Sequence, residues 1–506
     1  MQKDQKKGYR DPLSLLFRDQ TQKTALQVQR SKLSSGTDAK DEASSSRRGN
    51  RTTQNQHHAS RRSKAVVRFQ SVERIPPALV ATVDERATCF FFQNYGLEAD
   101  ETWTSSGFKY LSYMYSDQIV GQAMTDAVSS LGLAGLSNSM KDPRIMIRAD
   151  LRYKAALKSV REELQDLDQA KSDRTMGTVM LLGLYETNTC AAIEDVGSWK
   201  KHMFGALSLL SLRHPDSFKS RVGQHLLMQL RTQLVTHCLQ ARTNVPQRVL
   251  DLSRALPEPS VHAKSGRDIL FIVADFCQLR ASMSGFRDYS DPGRVIPTLL
   301  SLDASLVAWV SALPPDYNFT LETISEPSPA VFCDYYHIYK NNRVAAIWNH
   351  YRIVRVLIQE LLLDQLLYVS QQDQAQYDVD TEILPFSQLP SQIFTSKSVL
   401  QQLMHDICAS VPSSLGYAQP GTNGSHPTTT TSTSTPSVRA ISGNLLIWPL
   451  FSTAYISYAS PMMRSWIIGR LQEIAALLGV QQAAQFAQIL LACKETDLLG
   501  PDRLIQ

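Results

Sequence analysis

Beyond Val72 the chain runs in long stretches where apolar residues recur at steps of three and four, and few stretches alternate strictly. A period near 3.6 residues marks helices that bury one face, whereas strands would alternate. In 347–362, Ile347, Tyr351, Val354, Ile358 and Leu361 fall on one such face, which reads as core. In 468–493, Ile468, Leu471, Ile474 and Leu478 precede Gly479, and Ala484, Phe486, Ile489 and Leu490 follow it, predicting a helical hairpin that closes the domain. No segment repeats at the 20–50-residue period of a solenoid. The pattern predicts an all-α fold, an irregular multi-helix array over 73–506.

Three stretches break the pattern. From about Gln20 to Ser71 the chain is rich in Ser, Gln, Thr, Lys and Arg and poor in apolar residues, too poor to offset its ordering entropy, so 1–72 is predicted to be a disordered basic linker. The Ser/Thr/Pro/Gly-rich stretch 412–442 is predicted to be a flexible, low-complexity insertion. Residues 371–391 mix Gln, Asp and Pro and read as an exposed loop. Within them, Tyr377 to Phe386 interleave acidic and apolar residues as activation segments do, although incidental acids in a loop explain them more simply.

Composition fits this picture: 506 residues, 43% hydrophobic and 20% charged, can bury a sizeable core. The longest apolar run, Leu361 to Leu367, is interrupted by Asp364 and preceded by Glu360, well short of about 18 uninterrupted apolar residues, so no membrane span is expected. The polar opening MQKDQKKGYRD lacks the features of a secretory leader, and an intracellular protein is expected. The formal charge of +5 is uneven: Met1 to Arg68 hold 16 Lys and Arg against 6 Asp and Glu, leaving the remainder acidic. In that basic tail Arg47, Arg48, Arg61, Arg62 and Lys64 are candidates for a bipartite nuclear-import signal or for contact with DNA phosphates, a solvated linker being the plain alternative.

Candidate chemistry is sparse. The seven cysteines are scattered, the closest two, Cys238 and Cys277, lying about 40 residues apart with no C-x-x-C, so most are expected to be reduced and buried. No phosphate-binding loop, nucleophile elbow or zinc helix occurs, and Gly132-Leu-Ala-Gly135 reads as a helix-ending turn. His202, His237 and His337 sit singly within helical patterns, and Glu162, Glu163, Asp166 and Asp168 read as a solvated polar face. Neither an enzyme nor a cofactor or metal site is expected.

Short motifs add a family. Gly8 to Thr21, GYRDPLSLLFRDQT, resembles the segment that follows the last zinc-cluster cysteine in fungal transcription factors. FFFQNYG at 90–96, LLGLYE at 181–186 and SWKKHMFGALSLLSLR at 198–213 resemble landmarks of the regulatory domain of that family in order and spacing. IWNHYRIVRVLIQELL at 347–362, NLLIWPLFSTAY at 444–455 and SWIIGRLQEIAALLGVQQA at 465–483 continue the series. Singly, these motifs, with Trp199, Trp348, Trp448 and Trp466, read as helix packing. The chain thus resembles the fungal zinc-cluster (Zn2Cys6) transcription factors, which bind DNA through six cysteines holding two zinc ions. None of Met1 to Lys7 is a cysteine, so no zinc-ligand position carries over.

The resemblance implies a nuclear transcription regulator acting on the transcription machinery, with control of a secondary-metabolite biosynthetic gene cluster as the specific version by analogy. It would contact DNA directly only through a zinc cluster lying upstream. The alternative is a cluster-less co-regulator that joins a DNA-bound partner through helix contacts, with a homodimer along the same seam also implied. A helical small-molecule sensor or enzyme would need a pocket with converging polar groups, and a structural scaffold would leave transcript levels unchanged.

Overall fold

The structure, a computed structural model, describes residues 81–96, 108–116, 120–256, 261–285, 288–372, 385–417 and 439–493. Several of their helices begin where the sequence supplies a side-chain acceptor for the free N–H groups of a first turn, while others, such as those that follow Gly121, Pro246 and Arg439, begin without one. Thr82 and Glu85 form a reciprocal capping box at the start of α1 (Val83–Tyr95), with Glu85 N donating to Thr82 Oγ1 at 3.2 Å. After α2 (Lys109–Ser116) and α3 (Gln122–Met140), Asp142 caps α4 (Pro143–Glu163), whose first residue is the proline that a helix tolerates there. The short α5 (Leu167–Ala170) is capped by Asp166 and α6 (Asp173–Thr189) by Ser172. Then come α7 (Trp199–Leu212), α8 (Arg221–Ala241), α9 (Gln247–Ala255), α10 (Val261–Ser282) and α11 (Pro292–Ser311), with Ser220 capping α8 and Asp291 capping α11.

An antiparallel hairpin follows, β1 (Phe319–Thr323) against β2 (Tyr335–Tyr339), with Phe319 opposite Tyr339 and Thr323 opposite Tyr335. It leads into the longest helix, α12 (Asn342–Ser370), and the chain continues with α13 (Leu389–Ala409), α14 (Val411–Ser414), α15 (Ala440–Tyr455), α16 (Pro461–Leu478) and α17 (Gln481–Ala492). The hairpin of α16 and α17 is the one that the sequence predicts, with Gly479 in the left-handed region at φ 72° closing α16.

Helix α12 is the axis of the second half. It packs against α11, α13 and α15, and residues on every side of it are buried, from Tyr351 and Val354 to Leu363 and Leu366. The single apolar face read from the sequence is thus one part of a helix enclosed by neighbours. The last helices return to the first: α17 packs on α6 and α15 on α1. Asn138 Nδ2 donates to the Gly479 carbonyl at 3.0 Å and Gln482 Nε2 to that of Val196 at 3.0 Å.

Four expectations change. Gly132 and Gly135 do not end a helix but lie inside α3 where it crosses α1: a Cβ on Gly132 would stand 1.9 Å from the Ala87 carbonyl oxygen, and one on Gly135 2.3 Å from the Phe90 ring. Their missing side chains let two backbones approach closely. His337 lies on β2 and not in a helix, because Tyr335-Tyr336-His337-Ile338-Tyr339 is rich in aromatic residues that suit a half-buried strand. Glu163 is the exception among the expected solvated carboxylates, accepting from Thr175 Oγ1 at 2.8 Å and pairing with Arg174, whereas Glu162, Asp166 and Asp168 are exposed, Asp166 also serving as a cap. Val411, Pro412, Ser414 and Ser442, at the margins of the expected insertion, are buried, while 418–438 lie outside the described residues.

Among the described helices, α11 alone has the length and apolar composition to cross a membrane. Its Val295, Ile296, Leu299, Leu302, Leu306 and Trp309 are buried and it packs on α10 and α12, the arrangement of a core helix. None of the seven cysteines is in a disulfide; Cys190, Cys238, Cys277 and Cys408 are buried, while Cys89 is exposed.

The glycine contact yields a prediction. Gly132→Ala is expected to destabilise the protein by roughly 2 kcal/mol or more, since separating α1 from α3 outweighs the ~1 kcal/mol helix-propensity gain. Urea unfolding checks this; an unchanged or raised midpoint would show that the two backbones can separate at no cost.

Candidate functional site

The cations singled out in the sequence, Arg47, Arg48, Arg61, Arg62 and Lys64, lie outside the described residues, as do Gly8 to Thr21 and Tyr377 to Leu384. Within the helical unit the chemistry gathers along α12, around two charged residues that sequence reasoning passed over.

The first is Arg352, 1% exposed. Its guanidinium can only donate, and acceptors come from three directions. Nη1 donates to Tyr339 Oη at 2.6 Å and to Asn349 Oδ1 at 3.1 Å, and Nη2 reaches His337 Nδ1 at 3.3 Å. The rings of Phe319, Trp348 and Tyr339 surround the cation at 5.3, 5.3 and 5.9 Å.

This arrangement fixes the histidine tautomer. Tyr339 Oη, accepting from Arg352, directs its own proton to His337 Nδ1 3.0 Å away. With Nδ1 an acceptor, the ring proton sits on Nε2, facing Asp406 Oδ1 at 3.7 Å. Burial first, then the Arg352 charge, push the imidazole down to about 3, so it is neutral at physiological pH. Tyr335 Oη donates to Asp406 at 3.0 Å and Asn349 Nδ2 to Ser410 Oγ at 2.8 Å. The cluster therefore ties the strand hairpin, α12 and α13 together. Trp348 Nε1 adds a bond to the Tyr317 carbonyl at 2.7 Å, holding the approach to β1.

The second is Glu360, eight residues on and about 12 Å along the helix. It is 5% exposed and lines an enclosed space with Arg280 of α10, Gln240 of α8, and Trp448, Ser452 and Tyr455 of α15. Trp448 Nε1 and Ser452 Oγ are buried without a hydrogen-bond partner. The space offers about 20 Å³ to the centre of a water-sized sphere, room for about one water. Arg280 Nη1 donates to the Leu239 carbonyl at 2.7 Å. Burial, reinforced by the Asp364 charge and opposed by Arg280, raises the Glu360 carboxyl to about 8. Asp364 in turn accepts from Tyr458 Oη at 2.8 Å.

A wider recess of about 180 Å³ lies between α1, the end of α3 and the end of α16, lined by the uncharged Gln93, Asn94, Asn138 and Ser139 with Phe90 and Leu478. Among the described residues no three His, Cys, Asp or Glu side chains stand close enough to hold a metal ion. The clues to Arg352 and Glu360 were their positions: Arg352 stands between Tyr351 and Ile353 and Glu360 directly before Leu361-Leu362-Leu363, in stretches of α12 where an unpartnered charge would not survive burial.

Two outcomes follow. Arg352→Met is expected to destabilise the protein by about 2–4 kcal/mol, leaving Tyr339 Oη and Asn349 Oδ1 without their donor, and Arg352→Lys is expected to recover little because one ammonium cannot reproduce the contacts to Tyr339, Asn349 and His337; chemical denaturation of both variants measures this. For Glu360 the folded form holds its proton more tightly than the unfolded chain, so stability falls as pH rises from about 4.5 toward about 8. Glu360→Gln is thus expected to raise Tm by ~2–5 °C at pH 9 and to change it little at pH 4; an equal shift at both pH values would sink the assignment.

The described helices from α2 to α8 coincide with a recognised domain: residues 110–241 match the family described as fungal specific transcription factor domain. The landmarks at 181–186 and 198–213 fall inside the match, on α6 and α7. An uncharacterized protein of Emericella nidulans is 26% identical over 113 residues, 22% of this chain and 24% of its own length, so the chain spans about a quarter of the curated relative that it matches. No solved structure matches. Over residues 110–241 the chain is therefore similar to the fungal specific transcription factor domain.

Proposed function

We propose that the protein acts in the nucleus as the regulatory part of a zinc-cluster-type transcription factor, controlling genes of a secondary-metabolite biosynthetic cluster. The observation that supports this is the domain match over 110–241, together with the order of the flanking aromatic and aliphatic motifs along the rest of the chain. The domain family is one of regulators, which favours a non-enzymatic role. Its buried polar groups fit that reading: His337 is occupied by Tyr339 and Arg352, and the space at Glu360 has room for about one water, too little for a substrate.

The basic segment supplies nuclear entry through Arg47, Arg48, Arg61, Arg62 and Lys64. Contact with DNA is made by a zinc cluster encoded outside these 506 residues or by a DNA-bound partner that the helical unit joins. No C-x-x-C occurs within the sequence itself. The transcription machinery is the downstream partner in either case.

The test is a tagged chain in a filamentous fungus, with imaging and transcript profiling. The wild type is expected to concentrate in the nucleus, and replacing the five basic residues by alanine to lower the nuclear-to-cytoplasmic ratio severalfold. Deletion of the gene is expected to change transcripts of a contiguous set of biosynthetic genes. An unchanged transcript profile sinks the regulator reading, whereas a change confined to scattered genes sinks only its secondary-metabolite version.

A further inference from the structure

Helix α4 carries a stripe that no described element covers. Arg144, Ile147, Leu151, Lys154 and Lys158 follow one another at steps of three, four, three and four, and all five are exposed. Ala149, Ala156 and Val160 fall on the opposite side and are buried against the body of the protein. Ile147 is 63% and Leu151 61% exposed. They stand one turn apart at the centre of the stripe, and the cations lie at its two ends.

This spacing is the one with which a helix lays an apolar seam along a second helix. In a seam the end positions would be apolar too; here they are basic. Arg144 pairs with Asp142 at 2.9 Å and Lys158 with Glu162 at 3.9 Å, but the two cationic side chains remain 88% and 80% exposed, and such surface pairs are weak enough to be exchanged. Arg148, on the flank, is tied to Asp84 at 3.0 Å. The carboxylates beside the stripe are Asp142 and Glu162 at its ends and Asp84 and Asp150 on its flanks, where Asp84 is paired with Arg148 and Arg152 and Asp150 accepts from Tyr185 Oη at 2.6 Å, so that Lys154 and Lys158 remain exposed charges in its second half.

We infer that this face of α4 docks an amphipathic helix of another protein, one presenting two large aliphatic residues a turn apart with Asp or Glu on either side. The aliphatic pair would cover Ile147 and Leu151, and the carboxylates would meet Arg144, Lys154 and Lys158. Charge complementarity selects this occupant. A second copy of the chain would set cations against cations or against the aliphatic pair. A nucleic acid would leave two exposed aliphatic side chains facing phosphates, without gain. The surface stands on its own geometry and does not depend on the transcription reading.

The full chain can be titrated against a fluorescein-labelled helical peptide with two leucines one turn apart flanked by glutamates, read by anisotropy. Binding is expected, with Ile147→Ser plus Leu151→Ser weakening it at least about tenfold, a loss that corresponds to about 1.4 kcal/mol. Lys154→Glu plus Lys158→Glu is expected to weaken it similarly and to be rescued by a peptide with lysines in place of the glutamates, which only direct contact produces. These are surface changes, so thermal melting should stay at the wild-type temperature; if the serine variant unfolds, the charge swap alone decides. Equal binding of a peptide with Gln for Glu and Ser for Leu overturns the inference. So does a random-sequence DNA duplex that the wild type binds and only the lysine variants lose, or a wild-type dimer that the serine variant dissolves.

Discussion

A guanidinium removed from water constrains the second half of this protein. Arg352 is 1% exposed, and the cost of desolvating a charge falls only when its donors are met by acceptors held in place. Those acceptors come from a strand, Tyr339 and His337, and from the preceding turn of the same helix, Asn349. The hairpin exists to be seen as part of this arrangement: two five-residue strands would be marginal alone, and they persist where their aromatic rings enclose the cation. Through Tyr335 and Asn349 the constraint reaches Asp406 and Ser410 at the end of α13.

Further along α12 the balance differs. Glu360 meets its burial by holding a proton, and Arg280 spends a hydrogen bond on a backbone carbonyl. The unpartnered Trp448 Nε1 and Ser452 Oγ face the same space, which suits one bridging water. One helix thus carries a charge that is fully enclosed by partners and an acid that avoids charge, about two turns apart. Arg352 and Asn349 tie α12 to β2 and to the end of α13, and Arg280 ties α10 to α8, by polar contacts where apolar packing alone would leave the elements free to repack.

The regulatory domain match covers 110–241, yet the helices beyond it are not a separate body. α15 and α17 return onto α1 and α6, and Asn138 and Gln482 bond to carbonyls more than 280 residues away in the chain. Helix α12 is thus joined to the matched helices through a continuous packed core, by way of α15 against α1 and α17 against α6. The outward stripe of α4 lies within the matched stretch, on a helix anchored to α3 and α6.

By itself the sequence determined the class of fold. The three-and-four spacing gave the helices and Gly479 marked the turn between α16 and α17, because these signals are local and act through the backbone of their own segment. The ordered motifs at 181–186 and 198–213 pointed to the family whose description matches residues 110–241, the stretch in which both fall. Only the tertiary structure decided which local features were exceptions. Gly132 and Gly135 needed α1 against them before their role as a close crossing was visible. The strand at 335–339 is defined by a partner at 319–323, across a loop. Arg352, Glu360 and Arg280 are distant in sequence from most of what they touch, and the difference between a buried clamp and a solvated charge is set by those neighbours, which no periodicity along the chain encodes.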